Sequence, residues 1–105
     1  GVGVVGVAPK ADIIVVRVFG DNGGFYAGSL IQAMQRCEQQ GAHIISMSLG
    51  GESYSGAEAA ECQSLFNKGI LLVAATGNGA DAYANPPRPG AVNYPAAHGG
   101  VFGVG

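Results

Sequence analysis

The stretch that most constrains the fold is residues 70–78, Ile-Leu-Leu-Val-Ala-Ala-Thr-Gly-Asn. Its first six residues are apolar without alternation, the pattern of a strand buried on both faces of a parallel sheet. The run then breaks into Thr76-Gly77-Asn78-Gly79. An open α/β sheet presents its sites at the carboxyl edge of such strands. Asn78 then has two readings. It is a turn residue, since Asn tolerates left-handed backbone. Or it is a neutral amide donor set beside developing negative charge, where it does not titrate.

The rest of the chain falls into place around that strand. Residues 12–19 (Asp-Ile-Ile-Val-Val-Arg-Val-Phe) have the β-branched content of a strand. A glycine-rich loop comes next, over 20–24. Residues 27–40 predict a helix, with Leu30, Ile31, Met34 and Cys37 on one face. Ser29 and Gln32 have capping-box spacing, which would start the regular turns there, and Gly41 is the expected stop. Residues 43–47 predict a second strand. Ser55-Gly-Ala-Glu58 is another capping box. It opens a helix to about Lys68, with Ala59, Cys62, Leu65 and Phe66 inward and Gly69 as its stop. After Asn78, the Pro86-Pro87-Arg88-Pro89 segment is too rich in proline for a helix or inner strand. Residues 101–104 predict a short last strand.

This order is β-α-β-α-β, so the expected class is α/β: an incomplete portion of a three-layer α/β/α fold with a parallel sheet. If the strand order advances in one direction, both helices lie on one face. The other face of three apolar strands is then bare, whereas a doubly wound sheet is covered on both. Composition agrees with a piece of a larger core. Only 11% of residues are charged and 19 of 105 are glycine, against about 25% charged and about 7% glycine in ordinary soluble domains. The expectation is one partial domain over residues 1–105.

The same numbers exclude some functions. A net charge of −2 provides no basic patch for nucleic acid. No apolar run approaches the roughly 18 residues of a membrane span, and no secretory leader is read. Gly1, Gly3 and Gly6 spell a dinucleotide fingerprint in letters only, with no strand before it and Pro9 after it. Cys37 and Cys62 do not have zinc-knuckle spacing, and no metal ligand set is read. On inward faces of neighbouring helices, they form either a disulfide or two buried thiols.

Taken together, the ordered turns resemble the central segment of the subtilisin-like serine peptidases. Gly6-Val-Ala-Pro9 and the strand from Asp12 look like that family's stretch after its catalytic histidine helix. Ser46-Met-Ser-Leu-Gly-Gly51 resembles its substrate-binding strand, and Ala74-Ala-Thr-Gly-Asn78 its oxyanion-hole segment. Tyr94-Pro95-Ala96 and the Val101 strand match the turn and strand that come next in the family. The resemblance covers essentially the whole chain. It implies a serine endopeptidase in the full-length parent, with Asp, His and Ser of the triad outside this chain. His43 and His98 lie outside the family's histidine context and are expected to be structural.

The resemblance further implies that Asn78 is the oxyanion donor. Gly23, Gly24, Ser48, Leu49 and Gly50 would pair with an extended polypeptide substrate. Ala75, Thr76 and Gly77 would wall the pocket for the P1 side chain, with Asn93 near its floor. Thr76 replaces the small apolar residue common at its place. Phe19, Ala27, Leu30 and Leu49 would line the P4 site. No cofactor is required. Calcium in the full-length parent would take backbone carbonyls from residues 1–4. The partners are a polypeptide substrate and the rest of the peptidase domain, and the implied location is extracellular. The alternative is a non-catalytic peptide-binding fragment or pseudo-peptidase, since the chain taken literally holds no triad.

Overall fold

The computed structural model describes residues 3–19, 27–51, 53–77, 80–81, 88–89 and 92–105, with backbone alone at 27–28, 80–81 and 88–89. Helix α1 runs Ala27–Gln39, strand β1 Ile44–Met47, helix α2 Gly56–Asn67 and strand β2 Leu71–Ala75. Two-residue strands β3 (Ala80–Asp81) and β4 (Arg88–Pro89) pair antiparallel, and β5 is Val101–Val104. Proline in β4 fits this short ribbon, because a ribbon of two residues has no inner ladder for it to break.

The helices end as their glycines require. Gly41 takes φ +88°, with Gly41 N–H donating to Glu38 O and Ala42 N–H to Cys37 O. Gly69 takes φ +84°, and Ile70 N–H donates to Leu65 O. Both are left-handed glycine stops in which the next N–H satisfies an orphan carbonyl of the last turn. At its start α2 is capped by Ser55, whose Oγ accepts from Glu58 N–H at 3.2 Å. Helix α1 begins at Ala27 rather than at the Ser29 spacing, so that pair is not its cap.

The sheet order is β1-β2-β5, all parallel, with Ile45 opposite Leu72 and Val73 opposite Phe102. Leu30 and Met34 of α1, Cys62 and Leu65 of α2, and Ile45, Met47, Leu72 and Ala74 of the strands form one buried cluster. Both helices therefore cover the same face, and the fold is an incomplete α/β unit.

Three expectations change. Residues 12–19 pair with no strand among the described residues, and Ile13 and Val15 are exposed. β-propensity measures fit to a pleated, half-buried surface rather than a backbone preference in its own right. Instead Val15–Val18 flank a groove shared with Ser29, Gln32, Ala33 and Arg36 of α1. Strand β2 is not buried on both faces: Leu72 and Ala74 are buried, whereas Leu71 is exposed. Its apolar run reflects two apolar faces of which one is covered. Phe66 is exposed rather than inward, because Cys62 and Leu65 already hold the buried stripe of α2. Its stem instead rests near Gly100, where an added Cβ would come within 3.0 Å of Phe66 Cβ.

Candidate functional site

Strands β1 and β2 are parallel neighbours, and the residues leaving their carboxyl ends emerge side by side. Ser48, Leu49 and Gly50 extend from β1, and Ala75, Thr76 and Gly77 end β2. Leu49 is half-buried against the core while Ser48 and Gly50 are exposed. One apolar side chain thus anchors a segment whose backbone stays accessible on both sides of it.

A third segment closes this edge. Asn93 N–H donates to Thr76 O at 3.1 Å, and Tyr94 exchanges two backbone hydrogen bonds with Gly51, at 2.8 and 2.9 Å. The half-buried Asn93 side chain thereby sits between the two strand ends. A Cβ on Gly77 would stand 2.7 Å from Asn93 Nδ2, and one on Gly50 would stand 3.1 Å from Asn93 Cβ. Gly77 also takes φ +96°, which a side chain rarely adopts. Glycine at these two places makes room for the amide.

Thr76 is fixed in two ways. Its Oγ1 donates to Val104 O at 3.2 Å and its N–H donates to the same oxygen at 2.9 Å. Its methyl faces Gly103, where an added Cβ would approach Cγ2 to 2.9 Å. A threonine here costs no unsatisfied hydroxyl.

The structure therefore brings together Ser48, Leu49, Gly50, Ala75, Thr76, Gly77 and Asn93. Asn78, Gly23 and Gly24 lie outside the described residues, as do residues 1–2 of the segment expected to lend carbonyls to calcium. Leu30 is in the core and offers no surface to a ligand, so it drops out of the expected P4 lining. Among the described residues no group of three or more His, Cys, Asp or Glu could hold a metal ion. No described helix is long and apolar enough to cross a membrane.

Beside Asn93 lies a pair that sequence spacing does not assemble. His98 Nε2 is 2.9 Å from Glu58 Oε1, and both residues are buried, at 5% and 4% exposure. The rings of Tyr94 and Tyr54 pack on His98 with centroids at 4.7 and 5.6 Å. Glu58 was legible only as the third helical residue of a capping box. Its backbone N–H does take the cap, but its carboxylate goes to a residue forty positions on. No local spacing carries that signal. His43, by contrast, is exposed at the head of β1.

Cys37 and Cys62 are both free thiols. Burial, then the charges of Glu58 and Glu61, pushes the Cys62 thiol up to about 11. Burial also raises Cys37.

The pattern that defines the subtilase family matches residues 1–105. A thermostable alkaline protease of Halalkalibacterium halodurans is 41% identical over 103 residues, 98% of this chain and 26% of that protein. Subtilisin Savinase of Lederbergia lenta is 33% identical over 104 residues, 99% of this chain and 36% of its own length. Among solved structures, the S41 psychrophilic protease superposes with a TM-score of 0.83 at 33% identity, over 98% of this chain and 33% of that one. Sphericase superposes with a TM-score of 0.79 at 30% identity, over 97% and 33%. The chain spans about a quarter to a third of the length of these relatives.

Proposed function

The chain belongs to the subtilase family, and on that premise we propose that it is the substrate-binding and oxyanion-hole segment of a secreted serine endopeptidase. The supporting observation is the clustering of Ser48–Gly50, Ala75–Gly77 and Asn93 at one carboxyl edge, with Asn93 seated against Gly50 and Gly77.

In this reading the exposed backbone around Ser48 and Gly50 adds to an extended substrate as one strand adds to another. Gly23 and Gly24 form the opposite edge, and glycine lets the two main chains approach. The P1 side chain enters between the ends of β1 and β2. Asn93 is neutral and no acid lies in residues 75–79, so uncharged P1 side chains of medium or large size are preferred over Arg or Lys. Attack by the serine, supplied from outside this segment, turns the planar carbonyl into a tetrahedral oxyanion. Asn78 donates to that oxygen. A preorganised neutral donor stabilises the charged state more than the ground state, so it lowers the barrier. Calcium in the complete domain stays part of the proposal, with the backbone of residues 1–4 as a contributor.

The test is Asn78→Ala in the full-length protein. It should lower kcat with little change in KM, by about 10²–10³-fold, a figure known for this donor in a subtilisin rather than derived from this chain. Asn78→Asp should be at least as harmful, since an ionised carboxylate only accepts hydrogen bonds. Asn78→Gly separates the readings. Glycine preserves a turn but has no amide, so equal losses in the Ala and Gly variants support the donor, and rescue by Gly rejects it. The 105-residue segment alone should hydrolyse no peptide. Turnover that survives repurification and is blocked by a serine-directed phosphonate would overturn this division of labour.

A further inference from the structure

We propose that the buried Glu58–His98 pair is the positioning element of the primary specificity pocket, holding the Asn93–His98 turn on α2 so that Asn93 keeps its place between Gly50 and Gly77. The proposal rests on the reading of Asn93 as part of the P1 pocket.

The turn has two attachments. At its first end Asn93 N–H is bound to Thr76 O, and Tyr94 is paired with Gly51. At its last end the side chain of His98 reaches Glu58, and the His98 carbonyl accepts from Val101 N–H at 3.4 Å, where β5 begins after two glycines. Between them the turn closes on itself, with Ala97 N–H donating to Asn93 O at 3.0 Å and His98 N–H to Pro95 O at 3.0 Å. The short Asn93–Ala97 bond means that a shift at one end of the turn is passed to the other. Pro95 and Ala96 are buried beneath it, so it has little room to deform internally. Movement of His98 therefore moves Asn93.

Glu58 suits the anchoring role. It lies in the first turn of α2, where the helix favours a carboxylate. Its own backbone is fixed by the Ser55 cap. The imidazole comes to it with one nitrogen, with the Tyr54 and Tyr94 rings packed around it. A buried polar contact of this kind is costly to half-break, since the remaining partner is left without its hydrogen bond. That cost keeps the turn in one place rather than among several. Neither residue touches substrate in this scheme; both act through Asn93.

The test uses the full-length protein and a P1 series at saturating and sub-saturating substrate. His98→Gln keeps an Nε2 donor within reach of Glu58, and Glu58→Gln keeps an acceptor, so both should retain the P1 preference. Glu58→Ala and His98→Ala should flatten it by roughly tenfold to a hundredfold in kcat/KM, carried mainly by KM, the scale on which a displaced positioning group is felt. A purely stabilising pair would lower Tm in the Ala variants and leave the P1 ratios unchanged, and that result overturns the proposal. Should the Ala variants not fold, Glu58→Leu combined with His98→Leu fills the space without the hydrogen bond and must still flatten the preference. The Asn93 side-chain amide resonance gives a readout independent of turnover. It should shift in Glu58→Leu/His98→Leu and hold in Glu58→Gln, and an unmoved resonance in the double variant also overturns the proposal. Loss of the P1-pocket reading itself looks different: P1 ratios would then be insensitive to Asn93 substitutions, while the amide resonance would still report the turn.

Discussion

The two faces of the three-stranded sheet are made by the same strands and have opposite fates. Ile45, Met47, Leu72 and Ala74 point to the helices and are buried. Their immediate neighbours Ile44 and Leu71, with Phe102 and Val104 of β5, point the other way and are exposed, Ile44 at 61% and Phe102 at 65%. Register carries the split from strand to strand: Ile44 opposes Leu71 on the open face, and Ile45 opposes Leu72 on the covered one. The amino acids on the two faces are equally apolar. What differs is whether a helix lies over them, and coverage is a property of topology rather than of the residue.

The largest expected effect tests that split directly. In the 105-residue chain Leu72→Ala should cost about 2–5 kcal/mol, the range for emptying a buried leucine site. Leu71→Ala, one residue away, should stay within about 0.5 kcal/mol. Urea unfolding monitored by circular dichroism compares them, and equal costs would erase the distinction between faces. The open face should also drive self-association, because contiguous exposed apolar surface seeks cover. Leu71→Thr with Phe102→Thr should reduce association in sedimentation velocity. Repeating the leucine pair in the full-length protein sharpens the comparison: a rise in the cost of Leu71→Ala there would show that the open face is covered in the complete domain.

Much of this was legible in residues alone. The glycine stops at 41 and 69 and the Ser55 cap arise from local chemistry that needs no distant partner, and the three sheet strands were marked by their apolar runs, although they form only by pairing with one another. The bare face was expected too, though the strand at residues 12–19 on which that expectation leaned is not in the observed sheet; both helices still pack on one face, α2 as the connection from β1 to β2 and α1 ahead of β1. What failed was whatever depends on a distant neighbour. Residues 12–19 have strand composition but take no strand conformation among the described residues, and Phe66 has helix periodicity yet is exposed. Glu58 satisfies a local motif while its side chain answers to His98. At the candidate site, resemblance grouped Asn93 with Thr76 and Gly77, yet the contact itself depends on the 93–98 turn folding back to Gly51 and Thr76. Spacing cannot show that. Asn78, the residue on which the sequence converges, lies outside the described residues, so its role is left to the kinetic comparison of its Ala and Gly variants.

A smaller effect probes the close contact between β5 and Thr76 at Gly103, which is exposed although it opposes the buried Ala74. An added Cβ there would meet Thr76 Cγ2 at 2.9 Å and Ala96 Cβ at 3.6 Å. Thr76 cannot simply rotate away, because its hydroxyl is bound to Val104 O. Gly103→Ala should therefore destabilise by about 1–3 kcal/mol, the usual penalty for overpacking. Phe102→Ser, adjacent but on the open face, should be nearly neutral in the 105-residue chain. If Gly103→Ala is as mild as Phe102→Ser, Thr76 yields to the added methyl despite its hydroxyl bond.

The smallest effect concerns the thiols, which lie on the covered side at different depths. Cys62 is fully buried in the core and Cys37 is half-buried at its margin. The thiolate is the reactive species, and burial disfavours it. Cys62 is pushed from 9.0 to about 11 by burial first and by Glu58 and Glu61 second. At pH 8 iodoacetamide should therefore modify Cys37 well before Cys62, as mass spectrometry of timed samples would record. The same shift has a consequence for stability. A folded-state value above the unfolded one means that the native chain holds a proton that the unfolded chain releases. Its contribution is complete below pH 9, then declines as pH rises through the interval from 9 to about 11. Cys62→Ala removes that titration, so the pH dependence of its Tm in this interval should be shallower than that of the unsubstituted chain. The substitution also empties buried volume and lowers Tm throughout, which is why the slope rather than the level is the measurement. Identical slopes, together with equal alkylation rates for the two cysteines, would mean that water reaches α2 from the helix side as readily as it reaches the open face.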